Sequence, residues 1–243
     1  MKALIFSKRN FKEIIRDPVS LAFGVGLPVV MMIIFYYLYR SVSGMPSIYG
    51  VNSMAPGMAV FGLSFITLFM GMLIANDAQS SFLSRLFASP MKSSDFVLGY
   101  SLPMLPCALF QIVICLAIGA VMGMKISIHI LPAVIFLLID ALFYISLGLL
   151  FGSLFNSNQV GGISSLIVNA AAILSGTWIP LDTVKGGFKT VCNMLPFSHS
   201  LTLVKNTLAG DYSNTLKDFV WVAISTLIIS FAAAAVFKKK RCR

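Results

Sequence analysis

Six stretches of about twenty residues, almost free of charge, run along this chain, and about twenty helical residues are what a bilayer core of about 30 Å demands. They cover residues 21–39, 54–75, 97–124, 131–155, 160–179 and 220–237. In hydrocarbon every backbone N–H and C=O must be satisfied within its own segment, so such runs fold as helices. Composition excludes a soluble alternative: only 11% of the 243 residues are charged and 58% are hydrophobic, whereas soluble domains carry about 25% charged residues. The expected fold is an all-α integral membrane protein, one domain over residues 1–243 with six transmembrane helices. The fourth and fifth stretches are separated only by Asn156-Ser157-Asn158-Gln159, which requires a tight helical hairpin.

The formal net charge of +10 invites a nucleic-acid reading, but the basic residues gather at the two ends. Lys2, Lys8, Arg9, Lys12 and Arg16 precede the first stretch; Lys238, Lys239, Lys240, Arg241 and Arg243 follow the last. Such clusters suit membrane lipids with anionic headgroups, and no basic surface interleaved with aromatics accompanies them, so nucleic acid is not an expected partner. With six spans and both termini in the cytoplasm, the inner segments hold twelve basic residues and the outer segments six. The positive-inside rule therefore places both termini in the cytoplasm. The first apolar run is not followed by a small-residue cleavage site, which argues against a cleaved signal peptide.

Three segments outside the spans are too apolar for plain loops. In residues 1–18, Leu4, Phe11, Ile14 and Ile15 share a helical face, and Lys8, Arg9, Lys12 and Arg16 lie elsewhere. That pattern predicts a cytoplasmic amphipathic helix in the inner interface, stopped by Pro18. In the loop 76–95, Phe82, Leu83, Leu86 and Phe87 cluster around Arg85, with Asp77 as an expected N-cap and Pro90 as the stop. In 180–218, Phe188, Val191, Cys192 and Leu195, then Leu201, Val204 and Leu208, form apolar stripes at helical spacing, predicting re-entrant or interfacial helices on the outer side.

Catalytic chemistry is sparse. The sequence contains no HExxH, CxxC, GxSxG or GxxxxGK[ST] pattern, so catalytic, metal and cofactor-binding residues are expected to be none, and the chain is not expected to be an enzyme. Cys107 and Cys115 lie eight residues apart in one apolar run, about 12 Å along a helix, too far for a disulfide. His129 and His199 read as interfacial polar residues. Asp140 is the one ionisable group deep in a span; it costs about 2.5–3.5 kcal/mol at a helix centre, which predicts a hydroxyl or amide partner on a neighbouring helix, with an ion relay as the sharper alternative. Gly161, Ser165, Asn169, Ala172 and Gly176 make a small and polar stripe near Trp178. The stripe fits packing within the chain, a face between two copies, or a translocation path.

The order of these segments resembles the permease subunit of ABC-2 type (type V) ABC exporters over essentially the whole length. The resemblance rests on Arg16-Asp17-Pro18 before the first span, on 82–90 ending in Ser89-Pro90, on Ser175-Gly176-Thr177-Trp178-Ile179-Pro180, and on Leu195-Pro196-Phe197-Ser198-His199. Many relatives carry charges just before the coupling helix, whereas Ala78-Gln79-Ser80-Ser81 is neutral. The resemblance implies a multi-pass permease of a bacterial plasma membrane, working as two copies, or with a close paralogue, beside two separate ABC ATPase subunits that bind ATP and magnesium. It implies that Phe11, Arg16, Phe82, Leu83, Arg85, Leu86, Phe87 and Pro90 couple the permease to the ATPase. The shortage of a large outer domain points to amphipathic or lipophilic cargo, such as a drug, peptide or lipid. The rival expectation is an ATP-independent carrier or scaffold; a carrier normally shows inverted repeats and intramembrane charge partners, and neither is evident.

Overall fold

The computed structural model describes residues 2–80, 82–87, 91–181 and 183–241, and among them the regular structure is helical throughout, without strands. Helix α1 spans Lys2–Ile15. Pro18–Leu21 (α2) and Leu27–Ser41 (α3) are two parts of one long helix, joined by a wider π turn over Ala22–Gly26. The wide turn has a local cause: Pro28 offers no N–H and its ring crowds the preceding turn, and the ladder adjusts there. A 3-10 turn at Ser47–Tyr49 leads into α4, Val51–Gln79. Then come α5 (Phe82–Phe87), α6 (Ser93–Ser101) and α7 (Met104–Val121), with the break between α6 and α7 at Leu102-Pro103. Helix α8 covers Ile130–Leu154, α9 Ser157–Leu174, α10 Gly187–Met194, α11 Pro196–Ala209 and α12 Thr215–Arg241.

Among the described residues, five helical segments are long and apolar enough to cross a membrane: Pro18–Ser41, Val51–Gln79, Ser94–Val121, Ile130–Leu154 and Thr215–Lys239. The expected fifth span, 160–179, is not among them. Its helix α9 carries Asn158, Gln159, Ser164, Ser165 and Asn169, and it stops at Leu174 because Gly176 turns to φ +84°. The Trp178 N–H then returns to the Ala172 carbonyl. The tight hairpin before it is present. Asn156 caps α9, its side chain accepting from the Gln159 N–H while Gln159 Oε1 accepts from the Asn156 N–H.

Helix α4 is the centre of the molecule, with 83% of its spanning segment buried against 17% for the first and last spanning helices. It packs along α8, α9, α7 and α3, and α12 packs on α8 and α11. The α4–α8 crossing is close because it is built on glycine: a Cβ on Gly152 would sit 2.7 Å from the Gly71 carbonyl oxygen, and one on Gly148 would meet Met70 at 2.6 Å. Where the outermost helices show Val30, Ile34, Leu227 and Phe231 to the surroundings, lipid is the natural solvent.

Candidate functional site

At the end of the bundle where α4 stops, five helices meet around one ion pair. Asp77, in the last turn of α4, is 2% exposed. The Arg9 guanidinium of α1 donates to both of its oxygens, Nη1 to Oδ2 at 2.7 Å and Nη2 to Oδ1 at 2.8 Å. The Tyr100 hydroxyl of α6 donates to Oδ2 at 2.8 Å. Arg9 also pairs with Glu13 at 2.7 Å, donates to Asn10 Oδ1, and lies 4.3 Å above the Phe82 ring of α5. A bidentate guanidinium–carboxylate pair fixes both distance and orientation, so α1, α4, α5 and α6 are held in one register. Burial alone lowers the Arg9 pKa, but the hydrogen bond and charge of Asp77 outweigh it and the net shift is upward. Glu13 is pushed up, chiefly by burial, with Arg9 opposing and Asp77 adding.

Aromatic packing completes this cluster. Phe6 lies edge-on to Tyr100 at 4.8 Å, contacts Phe82 and Phe96, and rests on Gly99, where a Cβ would have no room. Phe237 of α12 touches Phe96 and Tyr100. Asn10, fully buried, donates to the Gly99 carbonyl at 3.0 Å. The sequence pattern misplaced two features here. Asp77 is no N-cap, because α4 continues through it to Gln79. The inward face of α1 is Phe6, Asn10 and Ile14, whereas Leu4 and Ile15 are exposed. Of the expected apolar face, Ile14 is buried and Phe11 half-buried; a polar residue, Asn10, sits at the centre of the contact.

Of the expected coupling residues, Phe82 and Leu86 are half-buried and packed against the chain's own core, and Arg85 is exposed. Phe11 is half-buried, and Arg16 is exposed at the end of α1. Pro90 and the side chains of Leu83 and Phe87 lie outside the described residues. The face of Phe82 and Leu86 expected to enter a partner is thus turned largely inward. Arg9, Asp77 and Tyr100 were not identified as a set from sequence, since their only signal was one acid at the end of an apolar run.

The α9 stripe divides. Ala172 and Gly176 are buried, and Trp178 lies 5.4 Å from the Phe61 ring of α4, its carbonyl accepting from the Tyr49 hydroxyl. Gly161 is half-buried, and Ser165 and Asn169 are exposed on the face away from α4. Asn169 donates to the Ser165 carbonyl one turn back. The buried face of α9 is instead Val160, Ser164, Val168, Ala171 and Ala172. The start of α9 is tied to the end of α4 by Ser157 donating to Gln79 Oε1. Its far end borders a cavity of about 540 Å³ between the 175–183 segment, the Pro46–Ser47 turn and α11.

Helix α11 fills the gap between α8 and α12. Asp140, fully within the bundle, accepts from the Ser200 hydroxyl of α11 at 2.6 Å, the hydroxyl partner its cost demanded. The neighbouring His199 is enclosed by protein. It is buried, its Nδ1 2.7 Å from Asp218 Oδ1 and its Nε2 2.9 Å from the Asn193 carbonyl, and it stacks on Trp221. A carbonyl only accepts, so Nε2 carries a proton. The histidine fastens α10, α11 and α12 together.

Among the described residues no group of His, Cys, Asp and Glu is arranged to hold a metal ion. A profile of the ABC-2 type transporter family matches residues 2–209. The chain is 26% identical over 202 residues to "ABC transporter G family member 20" of Dictyostelium discoideum, covering 79% of this chain and 27% of that protein. It is also 26% identical over 198 residues to "Probable multidrug ABC transporter permease" of Escherichia coli K12, covering 78% of this chain and 52% of the relative. The chain thus spans about a quarter and about half of these relatives.

Proposed function

The chain belongs to the ABC-2 type transporter family, and from that premise we propose that it is the membrane subunit of an ATP-driven exporter whose ATPase is a separate polypeptide. The carrying observation is the Arg9–Asp77–Tyr100 cluster, which joins α1 and the short α5 to the end of the central helix α4. A force applied by an ATPase to the α1–α5 surface passes through a charged, directional contact into the helix that touches nearly every other span. Arg85 and Arg16, exposed on that surface, are the groups offered to the partner.

In this reading α9 is the fifth of six spans, accompanied by protein rather than lipid along its polar face. Ser165 and Asn169 are expensive in hydrocarbon, and a second copy of the chain, or the path between two copies, supplies their surroundings. Both termini and the ion-pair cluster are cytoplasmic, in keeping with the charge asymmetry, and the membrane is a bacterial plasma membrane. The cavity beside Gly176 and α11 lies at the exit. The cargo is amphipathic or lipophilic. The test is a permease–ATPase complex reconstituted in vesicles, with the Asp77→Asn variant beside it: ATP hydrolysis that persists while cargo export falls supports coupling through this cluster. Unchanged export assigns the cluster to folding alone.

A further inference from the structure

At the other end of the bundle, the turn between α7 and α8 builds a pocket of about 530 Å³ against α4 and α11. Its chemistry is one-sided. Lys125 and Lys205 line it together with His129, and no carboxylate does so among the described residues. The Ser127 hydroxyl, buried at its wall, has no hydrogen-bond partner among the described residues. Asn52, in the first turn of α4, also lines the pocket and holds the segment in place by accepting from the Lys125 N–H at 3.0 Å. That helix start has no side-chain cap, so its partial positive charge adds to the same field.

The backbone here is not helical between Met124 and Ser127, and its residues alternate. Lys125, Ser127 and His129 line the pocket, while Ile126 and Ile128 between them are 68% and 80% exposed. An anion-binding recess rimmed by two apolar side chains at the edge of a spanning bundle has two solvents to satisfy at once. A free anion uses only the recess; an amphiphile uses both halves.

We propose that this pocket binds the phosphate group of an anionic phospholipid, with the acyl chains lying along Ile126 and Ile128. The proposal takes from the function above only the assignment of this end to the outer leaflet; binding itself depends on neither orientation nor ATPase.

The test uses the full chain purified in neutral detergent with whatever copies and partners it retains, and native mass spectrometry to count bound lipid. Three probes separate the halves of the site: dioleoyl phosphatidylglycerol, dioleoylglycerol with the same tails and no phosphate, and inorganic phosphate. Phosphatidylglycerol is expected to remain bound where the other two do not. Near an anionic surface one basic charge is worth about a fivefold factor, so Lys125→Gln lowers retention about fivefold, and the Lys125→Gln/Lys205→Gln pair lowers it further. Ile126→Ser/Ile128→Ser, at two exposed positions that folding tolerates, is also expected to lower it. Wild-type retention in both lysine variants overturns the proposal, as does dioleoylglycerol bound as well as phosphatidylglycerol. Inorganic phosphate bound as tightly as the lipid, with the isoleucine variant unchanged, makes the source a free anion and overturns the lipid assignment.

Discussion

Asp77 and Arg9 stand 68 positions apart, yet each determines what the other costs. Arg9→Ala leaves a carboxylate 2% exposed with the Tyr100 hydroxyl as its remaining donor. Breaking a fully buried pair from one side costs about 3–5 kcal/mol. The Arg9 side chain is 37% exposed, so water tempers the loss to about 2 kcal/mol. Asp77→Asn removes the charge along with the pair and is expected to cost less. Thermal unfolding of the two purified variants checks the order, with Arg9→Ala melting lower; the reverse order means Asp77 is solvated without Arg9. Asp140→Asn is expected to retain most transport, because an amide oxygen still accepts from Ser200. Total loss of transport at normal expression would require a charge there. The need for a hydroxyl near Asp140 was readable from the cost of an isolated acid in a span. Its identity, Ser200, was not, since only tertiary packing brings α11 beside α8. The Arg9–Asp77 pair was illegible for the same reason.

The elements were more legible than their faces. Long apolar runs reveal helices because lipid leaves the backbone no alternative, and Asn156-Ser157-Asn158-Gln159 announced its turn through capping chemistry. The end of α9 was misread because Gly176 and Trp178 look apolar while their backbone turns back on Ala172. The inward face of α1 was misread because burial there follows Asn10 and Arg9 as much as Phe6. Two variants separate the faces of α5. Arg85→Glu, at an exposed site, is expected to weaken ATPase retention several-fold without shifting the melting temperature. Phe82→Asp puts an acid under Arg9 and beside Phe6, and is expected to lower both; loss of retention with unchanged melting would mean Phe82 faces the partner. On α9, cysteines at Ser165 and Asn169, in a chain whose native cysteines are replaced, are expected to react with small water-soluble thiol reagents in one nucleotide state and not in another. Protection in every state, with transport intact, makes that face a permanent contact between copies.

For the whole molecule, the decisive feature is the joining of two ends by α4. At one end it is gripped by α1, α5 and α6 through Asp77; at the other its Gly57 and Phe61 meet Thr177 and Trp178 beside the cavity of about 540 Å³. Close glycine contacts hold it against α8, and Gly152→Ala is expected to destabilise the chain by about 1–3 kcal/mol, read as a lowered melting temperature. In the proposed function, a central helix that joins the α1–α5 surface to the cavity at the far end of the bundle suits a subunit driven from outside itself. The most direct measurement is affinity purification of the full chain, coexpressed in bacterial membranes with a candidate ABC ATPase subunit from the same genome, followed by ATP hydrolysis on the eluate. The expected result is ATPase eluting in equal amount with the permease, with hydrolysis that depends on both and coupling that weakens in Asp77→Asn. Intact permease that elutes without the ATPase and still moves cargo across vesicles without ATP would contradict it.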